Sequence, residues 1–477
     1  MQIAQFLIAT MLLAPAGAAS LDEPARRLSR EILQELIEIN TTDSTGSTTV
    51  AAEAMRKRLL AAGFPAEDLT VLGPNERKGN LVARLRGAHI GGAKPILIIA
   101  HLDVVEARRS DWSTDPFRLV EQDGFFYGRG TQDMKGSDAI MVTTLVRFAR
   151  EGYRPDRDII LALTADEEGG TSNGVDWLLK HHRDLVDADF VLNPDSGGVT
   201  THGGKALAVE VSSAEKLYAD FELKATNPGG HSSLPVPDNA IYHVADALER
   251  LQHAVFPFEL NAVTRAYFES LAKVESAQNA ADMRGMLVQP PDQAAITRLG
   301  RVPQFNALVR TTCVATRLEA GHANNALPQS ARAIVNCRIL PGHSAEEVRM
   351  ELVRVLADPA VSVRHISDLT NEIADHAPPD KPSAAVTLRA DVLAPLERLA
   401  AQFWPGAPVV PDMETGASDS KYTNAAGIPS FGFSALAIDR DDVRAHGKDE
   451  RLRVSAYYDG VDFYYWYLKA LTGAALK

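Results

Sequence analysis

The sequence predicts an α/β fold in which a mostly parallel sheet is interrupted by an inserted α+β domain of ferredoxin-like order. Residues 96–100 and 159–163 are continuous apolar runs with the length and composition of fully buried parallel strands. Residues 137–150 between them have the spacing of an amphipathic helix, so the three segments form a βαβ unit. A different pattern, with alternating polar and apolar positions, runs from about residue 209 to residue 370.

The composition limits where the protein works and what it binds. The 477 residues are too many for one ordinary core, and 62 acidic against 49 basic side chains give a net charge of −13, which argues against a nucleic-acid partner. Residues 1–20 combine a short apolar run with Ala16 and Ala18, the pattern of a cleaved signal peptide. No later stretch of eighteen apolar residues occurs. We therefore expect a periplasmic or secreted protein without a membrane span.

The α/β domain is predicted to consist of residues 21–208 and 371–477. Before and around the βαβ unit, the pattern indicates two helices within residues 22–62, a strand at 80–85, a helix at 174–182 and a strand at 189–193. After a linker at 376–382, it indicates a helix at 393–403, a strand at 428–433 and a helix at 456–471. Open α/β sheets bind ligands at the carboxyl ends of their strands. Side chains at those ends are therefore candidates for a functional site.

Residues 209–370 have the element order βαββαβ, which is that of a small antiparallel sheet with two helices. The stretch 256–303 is longer than this plan needs, and we expect it to be an extra helical segment that lengthens the inserted domain. Cys313 and Cys337 fall on two paired strands. Directly opposed strand positions suit disulfide geometry poorly, so two buried thiols are favoured, although export would permit a disulfide.

Imidazole and carboxylate side chains collect at the predicted strand ends, as a pair of divalent ions requires. One imidazole and three carboxylates come from four separate points of the chain: His101, Asp133, Glu168 and Asp195. Burying that much charge without a cation would be costly. A second imidazole could come from His446, in the same domain, or from His231, whose neighbouring glycines suit it better to contact with a substrate.

These residues lie in motifs that resemble the co-catalytic dizinc metallopeptidases, a family that includes glutamate carboxypeptidase, aminoacylase, carnosinase-type dipeptidases and carboxypeptidase S. The resemblance runs from about residue 30 to the end of the chain, and the motifs occur in the family's order. They are Ala-His-Leu-Asp at 100–103, Trp-Ser-Thr-Asp-Pro-Phe at 112–117, Tyr-Gly-Arg-Gly-Thr-Gln-Asp-Met-Lys-Gly at 127–136, Asp-Glu-Glu-Gly-Gly at 166–170, Gly-Gly-His-Ser-Ser at 229–233, Asn-Ala-Leu-Pro at 325–328, Asn-Cys-Arg at 336–338 and Ala-His-Gly at 445–447.

The resemblance implies a role for each of the metal-site residues. Asp133 would bridge two zinc ions, for which cobalt or manganese could substitute, and a cis peptide bond would follow it. The ligands of one ion would be completed by His101 and Asp195, and those of the other by Glu168 and His446. Glu167 would be the general base and Asp103 would hold the His101 imidazole.

The resemblance also implies that the inserted domain is a lid and dimerisation domain. His231 would contact the substrate's carbonyl oxygen, reaching across from the other subunit of a homodimer. Asn325 and Arg338 would hold the substrate's carboxylate.

The predicted function is hydrolysis of an amide or peptide bond next to a free carboxylate in short peptides, of the carboxypeptidase or dipeptidase type. Asp195 stands where glutamate carboxypeptidases and aminoacylases usually have Glu, and together with the long stretch 256–303 this favours carboxypeptidase S-like members. An N-acyl amino acid amidohydrolase is the alternative enzyme. A catalytically silent peptide-binding protein is the alternative from another class.

Overall fold

The computed structural model describes residues 23–368, 370–379 and 387–473. The predicted signal peptide and part of the predicted linker lie outside these residues. The helices of the described part are α1 (Glu23–Glu38), α2 (Thr48–Ala61), α3 (Lys135–Glu151), α4 (Gly174–His181), α5 (Arg183–Val186), α6 (Ala240–His253), α7 (Ala262–Leu271), α8 (Ala277–Leu287), α9 (Gln293–Leu299), α10 (Pro303–Leu308), α11 (Ala345–Leu356), α12 (Ala390–Phe403), α13 (Ser420–Ala425) and α14 (Val454–Leu471).

The strands form one large sheet and three smaller ones. They are β1 (Leu69–Leu72), β2 (Asn80–Leu85), β3 (Ile96–His101), β4 (Val120–Gln122), β5 (Phe125–Tyr127), β6 (Ile159–Thr164), β7 (Phe190–Asn193), β8 (Gly198–His202), β9 (Lys205–Glu215), β10 (Leu217–Thr226), β11 (Gly230–His231), β12 (Thr312–Ala320), β13 (Ala326–Leu327), β14 (Ser330–Ile339), β15 (Ser362–Ile366), β16 (Ile373–Ala374), β17 (Val409–Glu414), β18 (Ser430–Gly432), β19 (Ala437–Asp439) and β20 (Arg451–Arg453).

The large sheet has the order β1-β2-β6-β3-β7-β18-β9-β8-β19, with β17 paired to β9. Its central strands β6, β3, β7 and β18 are parallel. Alternate residues of these strands face two separate hydrophobic layers, one against α1, α3 and α14 and the other against α4 and α5. The α/β fold class and the βαβ unit of β3, α3 and β6 are therefore confirmed. Gly152 ends α3 with a φ of 64°, a conformation that glycine adopts without steric cost.

The small sheet is antiparallel and has the order β12-β14-β10-β15-β16. Its hydrophobic face is covered by α6 and α11, so the chain follows the predicted βαββαβ order. The predicted start at residue 209 needs correction, because β9 pairs with β8 and β17 of the large sheet. We propose Lys216, between β9 and β10, as the boundary, and Ala374 at the end of β16 as the last residue of the small sheet.

Helices α7 to α10 fill the stretch that the sequence assigned to a longer inserted domain. Their buried side chains pack mainly against the large sheet, where Phe268 and Met283 share a cluster with Ala208 of β9 and with Val410 and Met413 of β17. The prediction that this stretch lengthens the inserted domain is therefore wrong. The excess length of the stretch indicated a helical segment but not the surface that its helices cover.

Cys313 and Cys337 form a disulfide between β12 and β14, and their Cα atoms are 4.1 Å apart. The preference for two free thiols is therefore wrong. Opposite residues of an antiparallel strand pair approach most closely at non-hydrogen-bonded positions, and a Cα separation this short is typical of those positions. Among the described helices, none has the length and apolar character that crossing a bilayer requires.

Candidate metal centre

The predicted ligands converge because three neighbouring parallel strands end at the same edge of the large sheet. His101 is the last residue of β3, Glu168 lies four residues beyond β6, and Asp195 lies two residues beyond β7. Asp133 lies two residues before the first residue of α3, and the peptide bond that follows it is cis, as the resemblance implied. His446 comes from the loop before β20.

The five side chains form two groups that share Asp133. In the first, Nε2 of His101 lies 3.1 Å from Oδ1 of Asp133 and 3.4 Å from Oδ1 of Asp195. In the second, Nε2 of His446 lies 3.1 Å from Oδ2 of Asp133 and 2.8 Å from Oε2 of Glu168. Asp133 thus turns one oxygen to each group. Two adjacent cations with a bridging carboxylate fit this arrangement.

The electrostatics of the site favour bound positive charge. Hydrogen bonds with Asp133 and Glu168 raise the pKa of His446 to about 10. Burial alone would lower the pKa of His101, but the charge of Asp195 and the hydrogen bond with Asp133 raise it. Imidazole and carboxylate donors are those that zinc prefers outside thiolate sites. The donor set therefore fits a pair of divalent metal ions, with His446 as the second imidazole.

Asp103 supports the site differently from the prediction. The Nδ1 of His101 lies 3.0 Å from the backbone carbonyl oxygen of Asp103, whereas the nearest carboxylate oxygen is 3.8 Å away. The Asp103 carboxylate instead accepts hydrogen bonds from the backbone N–H groups of Glu167 and Glu168, at 3.2 and 2.9 Å. Asp103 thus holds the imidazole through its main chain and the Glu167–Glu168 turn through its side chain.

Glu167 lies beside the paired groups without belonging to either of them. Its Oε2 is 4.0 Å from Nε2 of His101, and burial, followed by the charge of Asp195, raises its pKa. Together with Glu168 and His446 it lines a cleft of about 350 Å³. A carboxylate in this position is free to accept a proton from a water molecule at the metal groups.

The small sheet contributes Arg338 to the same cleft, but His231 and Asn325 are not among the described residues that line it. These two residues lie together elsewhere, because His231 is on β11, Asn325 immediately precedes its partner strand β13, and the N–H of Ser232 donates to the carbonyl of Asn325. The His231 side chain is exposed. Of the three residues predicted to contact the substrate, only Arg338 therefore lines the cleft of its own chain.

Sequence reasoning missed a buried ion pair that joins two ligand loops. Glu450 is fully buried and accepts hydrogen bonds from Nη1 of Arg129 at 2.6 Å and from the N–H groups of Gly130, Gln132 and Asp133 at 3.0, 2.7 and 3.1 Å. Nη2 of Arg129 donates to the carbonyl oxygen of Gly447, at 3.0 Å. The pair therefore ties the loop of Asp133 to the loop that carries His446. Arg129 lies in the motif at 127–136 and Glu450 lies three residues beyond the motif at 445–447, but a single Glu in a loop carries no signal of burial.

Asp419 was also missed. It precedes α13, a helix of six residues that was not predicted, and its carboxylate accepts a hydrogen bond from Nδ2 of Asn173 at 2.6 Å. Burial raises its pKa to about 7, and it lines the cleft beside Glu167. The segment Ser418-Asp-Ser420 is a common helix start, so the available signal pointed to a cap and not to a site.

Two ligand groups that share one carboxylate, at the carboxyl ends of an α/β sheet, are an arrangement that metal-dependent hydrolases use. Residues 97–470 match the sequence model of Peptidase family M20/M25/M40, so the chain belongs to that family and is a hydrolase of C–N bonds. The predicted family resemblance is confirmed.

The chain is 29% identical to "Probable carboxypeptidase S-like 2" of Dictyostelium discoideum over 383 residues, which are 79% of this chain and 71% of the relative. It is 29% identical to the N-fatty-acyl-amino acid synthase/hydrolase PM20D1 of Homo sapiens over 381 residues, which are 78% of this chain and 72% of the relative.

Solved structures share the fold. The M20 family metallo-carboxypeptidase Sso-CP2 from Sulfolobus solfataricus superposes with a TM-score of 0.69 at 18% identity, covering 95% of this chain and all of that one. Human carnosine dipeptidase 1 superposes with a TM-score of 0.66 at 14% identity, covering 94% and 97%.

Proposed function

We propose that this chain is a two-metal hydrolase that cleaves the amide bond next to a free carboxylate in short peptides. The observation that carries the proposal is the cleft itself. It is lined by Glu168 and His446, which share a ligand group with Asp133, by the separate carboxylate of Glu167, and by the guanidinium of Arg338. An amide with a carboxylate one residue away could contact all three.

The metals are proposed to be zinc, held by His101, Asp133 and Asp195 in one group and by Asp133, Glu168 and His446 in the other. Cobalt or manganese would be accepted by the same donors. When bound, such ions polarise the amide carbonyl and acidify water near neutral pH.

The chain's own residues would carry the proton and hold the substrate. Glu167 takes a proton from the attacking water and passes it to the leaving nitrogen, and Asp103 fixes the turn that presents Glu167. Arg338 binds the substrate's carboxylate, for which a guanidinium offers two parallel N–H donors. A Glu167→Gln variant tests this mechanism. It should lose about 10²- to 10⁴-fold in kcat with its metal content unchanged. Hydrolysis that survives this substitution would refute the mechanism.

The same variant separates the enzyme from a silent peptide-binding protein. The purified wild-type protein should hydrolyse peptides that the Glu167→Gln variant only binds. Binding without turnover by the wild-type protein would favour the silent binding protein instead.

A homodimer would explain why His231 and Asn325 lie away from the cleft of their own chain. In support, β12 is the edge strand of the small sheet, and it exposes Val314 and Leu318. His231 of the partner subunit would then reach the substrate's carbonyl oxygen.

Subunit complementation tests this proposal. Glu167→Gln and His231→Ala homodimers should each be nearly inactive, and re-mixed subunits should regain roughly a quarter of wild-type activity, because half the dimers are mixed and each has one intact site. Re-mixing that restores no activity would contradict a shared site.

Hydrolysis of N-acyl amino acids is the second candidate, because a curated relative is named an N-fatty-acyl-amino acid synthase/hydrolase. Such substrates present the same amide and carboxylate to the cleft. A panel of dipeptides, N-acetyl amino acids and N-fatty-acyl amino acids separates the two functions. Turnover of acyl substrates with the peptides untouched would refute the peptidase proposal.

The proposed place of action is outside the cytoplasm. The signal-peptide pattern of residues 1–20 supports it, and the disulfide between Cys313 and Cys337 is stable chiefly in oxidising compartments. Amino-terminal sequencing of the protein isolated from its source tests the proposal. An intact Met1 on protein from the cytoplasm would contradict it.

A further inference from the structure

Four polar side chains lie at two pairing positions of the small sheet that are two residues apart, where β10 meets β14. Tyr218 is opposite Arg338, and Asp220 is opposite Asn336. In a β-strand, residues two apart project from the same face. The four side chains therefore form one cluster beside the cleft, which is lined by Tyr218, Asp220 and Arg338.

Three hydrogen bonds connect the cluster, and two of them are accepted by Asp220. Its Oδ2 accepts a hydrogen bond from the Tyr218 hydroxyl at 2.6 Å, and its Oδ1 accepts one from Nδ2 of Asn336 at 2.8 Å. Asn336 then accepts a hydrogen bond from Nε of Arg338 at 3.3 Å. The guanidinium of Arg338 lies over the Tyr218 ring, 4.7 Å from its centroid.

Arg338 is therefore held on two sides by residues that Asp220 orients. Tyr218 supports the face of the guanidinium, and Asn336 fixes its Nε edge. Within the described part of the chain, no hydrogen bond or ion pair engages Nη1 or Nη2 of Arg338. These are the donors that a guanidinium uses for a two-point contact with a carboxylate. An arginine fixed before binding loses less side-chain entropy when the substrate arrives.

We infer that Asp220 is a positioning residue for substrate recognition, which acts by holding Arg338 in the orientation that binds the substrate's free carboxylate. The inference rests on the proposed function, in which Arg338 makes that contact. Asp220 itself need not touch the substrate. Its removal releases both Tyr218 and Asn336, so the guanidinium loses its support on two sides at once.

The test compares a dipeptide with a free carboxyl terminus and the same dipeptide amidated at that terminus. Asp220→Ala should lower kcat/KM for the free acid roughly 10- to 100-fold, which is the range of a charge-assisted hydrogen bond, mostly through KM. Turnover of the amide should change by less than about 3-fold, because the amide makes no such contact. The acid-to-amide preference should therefore fall, which a purely structural role of Asp220 would not cause.

Asp220→Asn is the conservative variant. Its amide can accept from Asn336 and donate to the Tyr218 oxygen, so it should keep most of the preference. Asp246→Ala is the matched control, because it removes an exposed carboxylate from α6, which packs on the same small sheet. It should leave the acid-to-amide preference unchanged. If Asp220→Ala does not fold, Asn336→Ala and Tyr218→Phe each cut one of the two connections. Each should then lower the preference by a smaller factor.

Arg338→Met separates the two levels of the argument. If this variant keeps the preference for the free acid, the proposed role of Arg338 is wrong. If Arg338→Met removes the preference and Asp220→Ala folds but retains it, the proposed role stands and the inference about Asp220 is overturned. An unchanged preference in both Asn336→Ala and Tyr218→Phe would overturn it equally.

Discussion

Replacing Glu450 with glutamine is expected to destabilise the protein and loosen its metal centre together. The substitution keeps the shape of the side chain but removes the charge that faces Arg129, and both residues are almost fully buried. The new amide N–H₂ would also face N–H donors of the Asp133 loop, which now donate to the carboxylate. Removing one partner of a buried ion pair costs about 3–5 kcal/mol. That is a large part of a typical stability of about 5–15 kcal/mol.

The assay is urea unfolding of the wild-type and Glu450→Gln proteins, with metal analysis after dialysis of each. We expect a free energy of unfolding lower by about 3–5 kcal/mol and partial loss of metal, because Glu450 and Arg129 join the Asp133 and His446 loops. The double variant Arg129→Met/Glu450→Gln is the control. It should recover part of the loss, since no buried charge is left without its partner. A loss below about 1 kcal/mol with full metal retention would refute this account of the ion pair.

Two further predictions concern parts of the inserted domain. Replacing both Cys313 and Cys337 by alanine opens a loop with a sequence separation of 24 residues, and should lower the free energy of unfolding by about 3–4 kcal/mol. Urea unfolding measures this loss. The wild-type protein with its disulfide fully reduced should have nearly the same free energy of unfolding as the variant, and a clear difference between the two would contradict the prediction. Hydrogen bonds with Asp358 and then Asp238 raise the pKa of His243, so its ion pairs contribute fully below about pH 6.5 and weaken as pH rises through the raised pKa. The melting temperature of His243→Gln should therefore lie below that of the wild type near pH 6, by an amount equivalent to about 0.5–1 kcal/mol, with the gap closing at higher pH. A gap that does not depend on pH would contradict this.

The central fold was predictable because its signals are local. Continuous apolar runs such as Ile96–His101 and Ile159–Thr164 have few alternatives to buried parallel strands, and the strand ends then bring His101 and Glu168 together. The shared position of Asp133 followed only from the family resemblance, because no periodicity places a loop residue between two others.

The parts that were missed depend on which surfaces meet. The stretch that forms α7 to α10 was expected to be helical, but its packing on β9 and β17 is a tertiary feature without a local signal. The position of Cys313 opposite Cys337 was anticipated, yet the narrow strand spacing that allows their disulfide is set by pairing across the whole sheet. Glu450 is the clearest case, because its partners lie more than 300 residues earlier in the chain.

Metal stoichiometry tests the central claim most directly. The two groups share Asp133, whereas His446 belongs to one group and His101 to the other. We expect two equivalents of metal per chain in the purified wild-type protein and one in the His446→Ala variant, because one complete group remains. Asp133→Ala should hold neither ion tightly. A wild-type protein that binds a single ion, or a His446→Ala variant that retains both, would contradict the paired metal centre.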